Sequence, residues 1–287
     1  MTTSSNNDFD DFPLSPSGSL DAAEFYESFL ECQALATAIP KKVFGKDFDL
    51  TFHNFLHEFH SGKANNQVLF RGAEAANKAL GLLWLSKVKK LAQLFDSLND
   101  IPEFKGMPEG ALEYLPRLSC NIGDLSSLSE LLLQIGVVVI YERSIPGMKI
   151  DGAAFRLDSG RPVIALSLRY PRLDHFWFTL MHELAHIDLH YDKLGTPIID
   201  DLDDVSDDLI EKQANRRASN ALISRSNWRS CQAKYDLSEE SVNDFAARIG
   251  IHPAIVAGRL QRELNRYYIF SDIVNSVDVR KVLLHDE

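Results

Sequence analysis

Apolar residues return at three- and four-residue spacing over much of the first hundred positions, the period of a helix that buries one face. Phe25, Tyr26, Phe29 and Leu30 form one such stripe, and Leu80, Leu83, Trp84, Val88 and Leu91 form another. This predicts a helical region over residues 21–115, ending in a stretch broken by Pro102, Gly106, Pro108 and Gly110. Ahead of it, residues 1–20 are rich in Ser, Asn, Asp and Pro and lack a sustained apolar period, so they are expected to form a disordered acidic tail.

Beyond the breakers the period changes. Pro116 and Gly123 keep the chain irregular up to a helix predicted over 124–134, and Val137 to Tyr141 is a β-rich apolar run. Ala153–Leu157 and Val163–Leu168 flank the turn residues Asp158, Ser159 and Gly160, which predicts a hairpin. Pro171 closes the second strand, and 173–190 reads as a helix. After an Asp-rich loop, further helices are predicted over 207–223, 238–249 and 253–269. The order of helices, a small sheet and helices again predicts an α+β fold with the sheet packed on the 173–190 helix. The expected division is a helical N-terminal domain over 21–115, a central domain over 116–235 and a C-terminal helical subdomain over 236–287.

A chain of 287 residues, 45% of them hydrophobic, is long enough to bury a sizeable core. No run approaches the ~18 apolar residues that suggest a membrane span, and the polar, acidic start lacks the basic and apolar parts of a secretory signal. The expected compartment is the cytoplasm, without membrane attachment. A formal charge of −11 argues against a surface built to hold nucleic acid. Much of it is local: Asp8, Asp10, Asp11, Asp21, Glu24, Glu27 and Glu31 precede the first Lys or Arg. Cys32, Cys120 and Cys231 are far apart with no Cys-x-x-Cys pair, and read as ordinary reduced thiols.

The candidate chemistry lies in His182-Glu183-Leu184-Ala185-His186. Two histidines four residues apart on a helix project from one face about a turn apart, so both imidazoles can reach one metal ion. Glu183 is offset so that its carboxylate can meet a water without becoming a ligand, the arrangement of a general base. Three fixed letters occur by chance in many chains, but Phe176, Phe178, Leu180, Leu184 and Ile187 place this helix in a core. It also follows a predicted strand, along which an extended peptide could lie by β-augmentation.

A catalytic zinc needs a third protein ligand and an open position. Glu211 is the leading candidate, on a helix whose same face carries Asn215, Ala218 and Leu222. Asn215 could hydrogen-bond a ligand from behind, and Ser206 could cap that helix. Asp192, His190 and the acidic run 200–208 compete, although His190 lies ~12 Å along the axis from His182. His53, His57, Glu58 and His60 form a second histidine-rich patch, but Phe52, Phe55 and Phe59 between them fit an amphipathic helix better.

The segment from Arg172 to His186 resembles the ImmA/IrrE family of metallopeptidases. Asp151 to Phe155, Glu211-x-x-Ala214-Asn215, and Ile251 to Leu260 resemble further elements in the family's order, so the similarity spans roughly 135–270. It implies a zincin-like, gluzincin-type domain in which His182, His186 and Glu211 hold Zn2+, with Mn2+ as the alternative ion, and Glu183 is the catalytic acid/base. It also implies a protein substrate, a helix-turn-helix repressor in a stress, mobile-element or toxin–antitoxin-like system. Two positions depart from the family: Arg217 stands where an aromatic residue is usual, and no Pro follows Ile223.

The two C-terminal helices around Gly250 could be mistaken for a helix-turn-helix presenting Arg259, Arg262 and Arg266. They coincide with the family's domain tail and Glu263 interrupts the basic face, so direct DNA binding is not expected. Tyr191 and His190 are candidates for stabilising an oxyanion. The rival reading is a non-catalytic, antitoxin-like binding module that retains the peptidase fold.

Overall fold

The computed structural model describes residues 22–37, 39–44, 48–64, 75–200 and 209–284. Its helices are α1 (Ala22–Thr37), α2 (Phe48–Ala64), α3 (Ala75–Leu98), α4 (Ala111–Tyr114), α5 (Leu128–Leu133), α6 (Leu173–His190), α7 (Leu209–Leu222), α8 (Arg225–Arg229), α9 (Glu239–Ile249), α10 (Pro253–Leu264), α11 (Ser271–Val274) and α12 (Val279–Leu283). Strands β1 (Val138–Tyr141), β2 (Gly152–Arg156), β3 (Pro162–Leu166) and β4 (Ile198–Asp200) form one sheet in the order β1-β3-β2-β4. The fold is α+β. The acidic tail, the run 201–208 and the Ser206 cap lie outside the described residues.

β1 runs parallel to β3, whereas β2 is antiparallel to both β3 and β4. β3 is buried along its whole length, the signature of a strand covered on both faces. Side-chain alternation splits that coverage. Ala154, Ile164 and Leu166 turn toward a core containing Phe176, Trp177, Leu180, Leu184 and Val256, which α6 and α10 supply. Ala153, Phe155, Val163 and Ala165 turn the other way, onto Phe55, Leu80, Trp84 and Val88 of α2 and α3. A third tryptophan, Trp228 of α8, is buried in the α6 core near Phe245.

α3 is also tied to the sheet by polar contacts. Trp84 Nε1 donates to the Glu142 carbonyl at 3.1 Å, and Arg161 bridges Asp96 and the Ile101 carbonyl at 2.5 and 2.7 Å. α6 is held at its first turn, where Arg172 donates twice to Asp174 and once to Gln261 Oε1 of α10. Gly258 permits this approach, because a Cβ there would collide with the Asp174 carboxylate.

Two predicted helices are shorter than expected. The 253–269 segment stops at Leu264, where Asn265 adopts a left-handed conformation (φ 52°) and ends the helix as Asn readily does. The 124–134 segment begins as a 3-10 turn over Ile122–Ser127, and its α-helical part is only α5.

Candidate metal centre and active site

The α6 sequence buries a nearly continuous cylinder: Leu173, Phe176, Trp177, Leu180, Met181, Leu184, Ala185 and Ile187 are all in the core. His182, Glu183 and His186 therefore enter the interior with them, each 0% exposed. α7 packs along the same helix and brings Glu211 to the two imidazoles. His182 Nε2 and His186 Nε2 are 2.9 Å apart, and Glu211 Oε2 lies 3.1 Å from the first and 3.5 Å from the second. Two ligands of a tetrahedral zinc, each about 2.0–2.2 Å from the ion, stand roughly 3.3–3.6 Å apart. Two sides of the observed triangle are slightly shorter and the third falls in this range, and its two imidazole nitrogens and carboxylate oxygen are a donor set zinc accepts. Among the described residues no other group of three or more His, Cys, Asp or Glu side chains converges this way.

Glu183 lies against the start of β2. A Cβ at Gly152 would collide with its carboxylate and press on Thr179, so only glycine leaves room for the acid at this point. Sequence reasoning placed Gly152 in the hairpin without assigning it this role; its one signal was a glycine opening an apolar strand.

The other candidates fall elsewhere. His190 Nδ1 sits behind the site, 3.3 Å from His186 Nδ1, and its Nε2 is 2.9 Å from Gln213 Oε1. Asn215 has a buried Oδ1 with no hydrogen-bond partner among the described residues, and the amide that meets a site histidine is Gln213. The Tyr191 hydroxyl donates to the Gly160 carbonyl at 2.5 Å while its ring packs on Phe104 and under Arg156. It braces the hairpin turn and does not serve as an oxyanion donor in this arrangement. Asp192 is exposed on the turn after α6. In the histidine-rich patch His60 contacts Ser28 and Phe25, and His53 and His57 are exposed. Cys32 and Cys231 are buried, and burial pushes the Cys32 thiol up to about 12 and raises that of Cys231, so neither supplies a thiolate.

The expected substrate track along the strand before α6 needs correction. β3 is paired on both sides, by β1 and β2, and has no free edge. On the Gly152 side of the sheet the outer strand is β4, whose Asp200 pairs with Gly152.

The family model of the IrrE N-terminal-like domain, a peptidase family, matches residues 133–261. This stretch is an IrrE N-terminal-like domain. It runs from the last residue of α5 into α10 and contains the sheet, α6 and α7, while the helices α1 to α4 precede it. No curated protein matches the chain. No helix among the described residues is long and apolar enough to cross a membrane.

The two departures within the IrrE-like domain have structural roles. Arg217 bridges Asp188 of α6 at 2.9 Å and Glu113 of α4 at 2.6 Å, which lowers the Glu113 pKa through the hydrogen bond. Arg259 donates to the Ser219 and Ile223 carbonyls at the end of α7 and stacks on Trp228. A guanidinium thus satisfies the helix end that a proline would otherwise punctuate.

Proposed function

We propose that the IrrE-like domain is a zinc-dependent endopeptidase that cleaves a helix-turn-helix repressor. The convergence of His182, His186 and Glu211 carries the reading, with Glu183 buried next to His182 on α6; the substrate class rests on the family resemblance. His182, His186 and Glu211 would hold zinc, which would supply a Lewis acid for the scissile carbonyl and lower the pKa of water toward ~7. Glu183 takes the proton of the attacking water and returns it to the leaving amine. Gly152 keeps that carboxylate in place, and an extended substrate pairs along β4.

Mass spectrometry of repressor proteins incubated with wild-type and Glu183→Gln protein, with and without chelator, tests this. One discrete cleavage that requires both Glu183 and metal is expected; cleavage by Glu183→Gln at the wild-type rate would sink the assignment. The complete burial of Glu183, His182 and His186 favours a second reading, a binding regulator that keeps the fold without turnover. Intact repressor retained equally by both proteins would support that one.

A further inference from the structure

We propose that Gln213 and His190 form a positioning relay that fixes the tautomer of His186, so that its Nε2 lone pair faces His182 and Glu211. The deduction starts from an amide oxygen, which can only accept a hydrogen bond. Gln213 Oε1 lies 2.9 Å from His190 Nε2, so that nitrogen carries the proton. In a neutral imidazole the other nitrogen is then bare. His190 Nδ1 therefore accepts, and its neighbour at 3.3 Å, His186 Nδ1, donates. His186 Nε2 is left unprotonated, and this atom stands 2.9 Å from His182 Nε2 and 3.5 Å from Glu211 Oε2.

With the Gln213 amide oxygen turned to His190, the polarity runs in one direction. If position 213 presented a donor, each proton would shift by one place and His186 Nε2 would carry hydrogen where a ligand needs a lone pair. His190 is 6% exposed and His186 is fully buried, so water competes little for these bonds. Gln213 is exposed on α7, which makes it the accessible end of the relay. Hydrogen bonds of this kind from behind a ligand histidine fix its ring and typically change metal affinity by about 10- to 100-fold.

The inference rests on the reading of His182, His186 and Glu211 as metal ligands, and two measurements separate the failures. Two-bond 1H–15N spectra of the metal-free protein read the His186 tautomer directly. The expected result is a proton on Nδ1 in wild type and Gln213→Glu, and its loss or redistribution in Gln213→Lys and His190→Leu. Zinc titration against a competing chelator should show affinity lowered about 10- to 100-fold in Gln213→Lys and His190→Leu. It should stay near wild type in Gln213→Glu and recover in His190→Asn, whose Oδ1 replaces the accepting Nδ1. Position 213 is exposed, so its variants report on polarity rather than folding. An Nδ1 proton on His186 that persists in both Gln213→Lys and His190→Leu overturns the relay. If His182→Ala and Glu211→Ala bind zinc like wild type, the metal-site reading fails instead, while the tautomer result still decides the relay.

Discussion

The two faces of the sheet are covered by helices of opposite character. On one face, α2 and α3 bring Phe55, Leu80, Trp84 and Val88 against Ala153, Phe155 and Val163, an apolar contact with hydrogen bonds from Trp84 and Arg161 beside it. On the other, α6 brings equally buried apolar residues but inserts His182, Glu183, His186 and His190 among them. Burying ionisable groups is costly unless they are paired or bind a metal. The comparison teaches that the α3 face supplies stability that the α6 face gives up for chemistry, with the same strands serving as the back wall of both.

The sharpest test removes the chemistry alone. Glu183→Gln is expected to lower turnover by about 10²- to 10⁴-fold while the zinc content, measured by metal analysis, stays that of wild type. Phe155→Ala, on the opposite face of β2, is expected to destabilise by about 3–5 kcal/mol in urea unfolding. Its zinc affinity should be unchanged; a drop matching the loss of stability would show that the faces are not separable. Gly152→Ala acts on the α6 face, where the added Cβ meets Glu183 and Thr179. Crowding the Glu183 carboxylate should cost roughly 1–3 kcal/mol of stability and about 100-fold in turnover, again with zinc retained.

How much of this was legible in the sequence follows from the range of the forces involved. α6 was readable to its ends, Leu173 and His190, because apolar spacing and Pro171 are local signals. The hairpin of β2 and β3 was readable for the same reason, as were the three residues that converge as donors. The partners of α6 were harder. β4 has three residues and no periodicity to detect, and the link from His190 to Gln213 joins positions 23 residues apart. Asn215 shares the helical face of Glu211, whereas the orientation of α7 against α6 brings Gln213 to His190, and one-dimensional spacing does not encode that orientation. The end of α10 was missed because Asn265 stops the helix through its backbone conformation while the apolar pattern continues to Ile269.

Smaller effects sharpen the comparison at the edge of the α6 face. His252 caps α10, its Nδ1 accepting from the Ala254 N–H, and burial lowers its pKa below the ordinary imidazole value. The fold favours the neutral ring, so this contribution is complete above pH ~6.5 and is lost as the pH falls through the lowered value. His252→Asp keeps an acceptor and should flatten that part of the stability–pH curve; His252→Ala should cost about 0.5–2 kcal/mol at neutral pH. Least of all, Glu113→Gln removes one partner of Arg217 at a half-exposed site, and thermal unfolding should register under about 1 kcal/mol.

The placement of the tryptophans has an optical consequence. Trp84 lies in the α3 core, Trp177 in α6 beneath the candidate site, and Trp228 under Arg259 at the end of α7. Each indole is a built-in fluorophore, Trp84 on one side of the sheet and Trp177 and Trp228 on the other. With two of the three changed to Phe, the remaining emission maximum tells which side of the sheet meets solvent first as the protein unfolds.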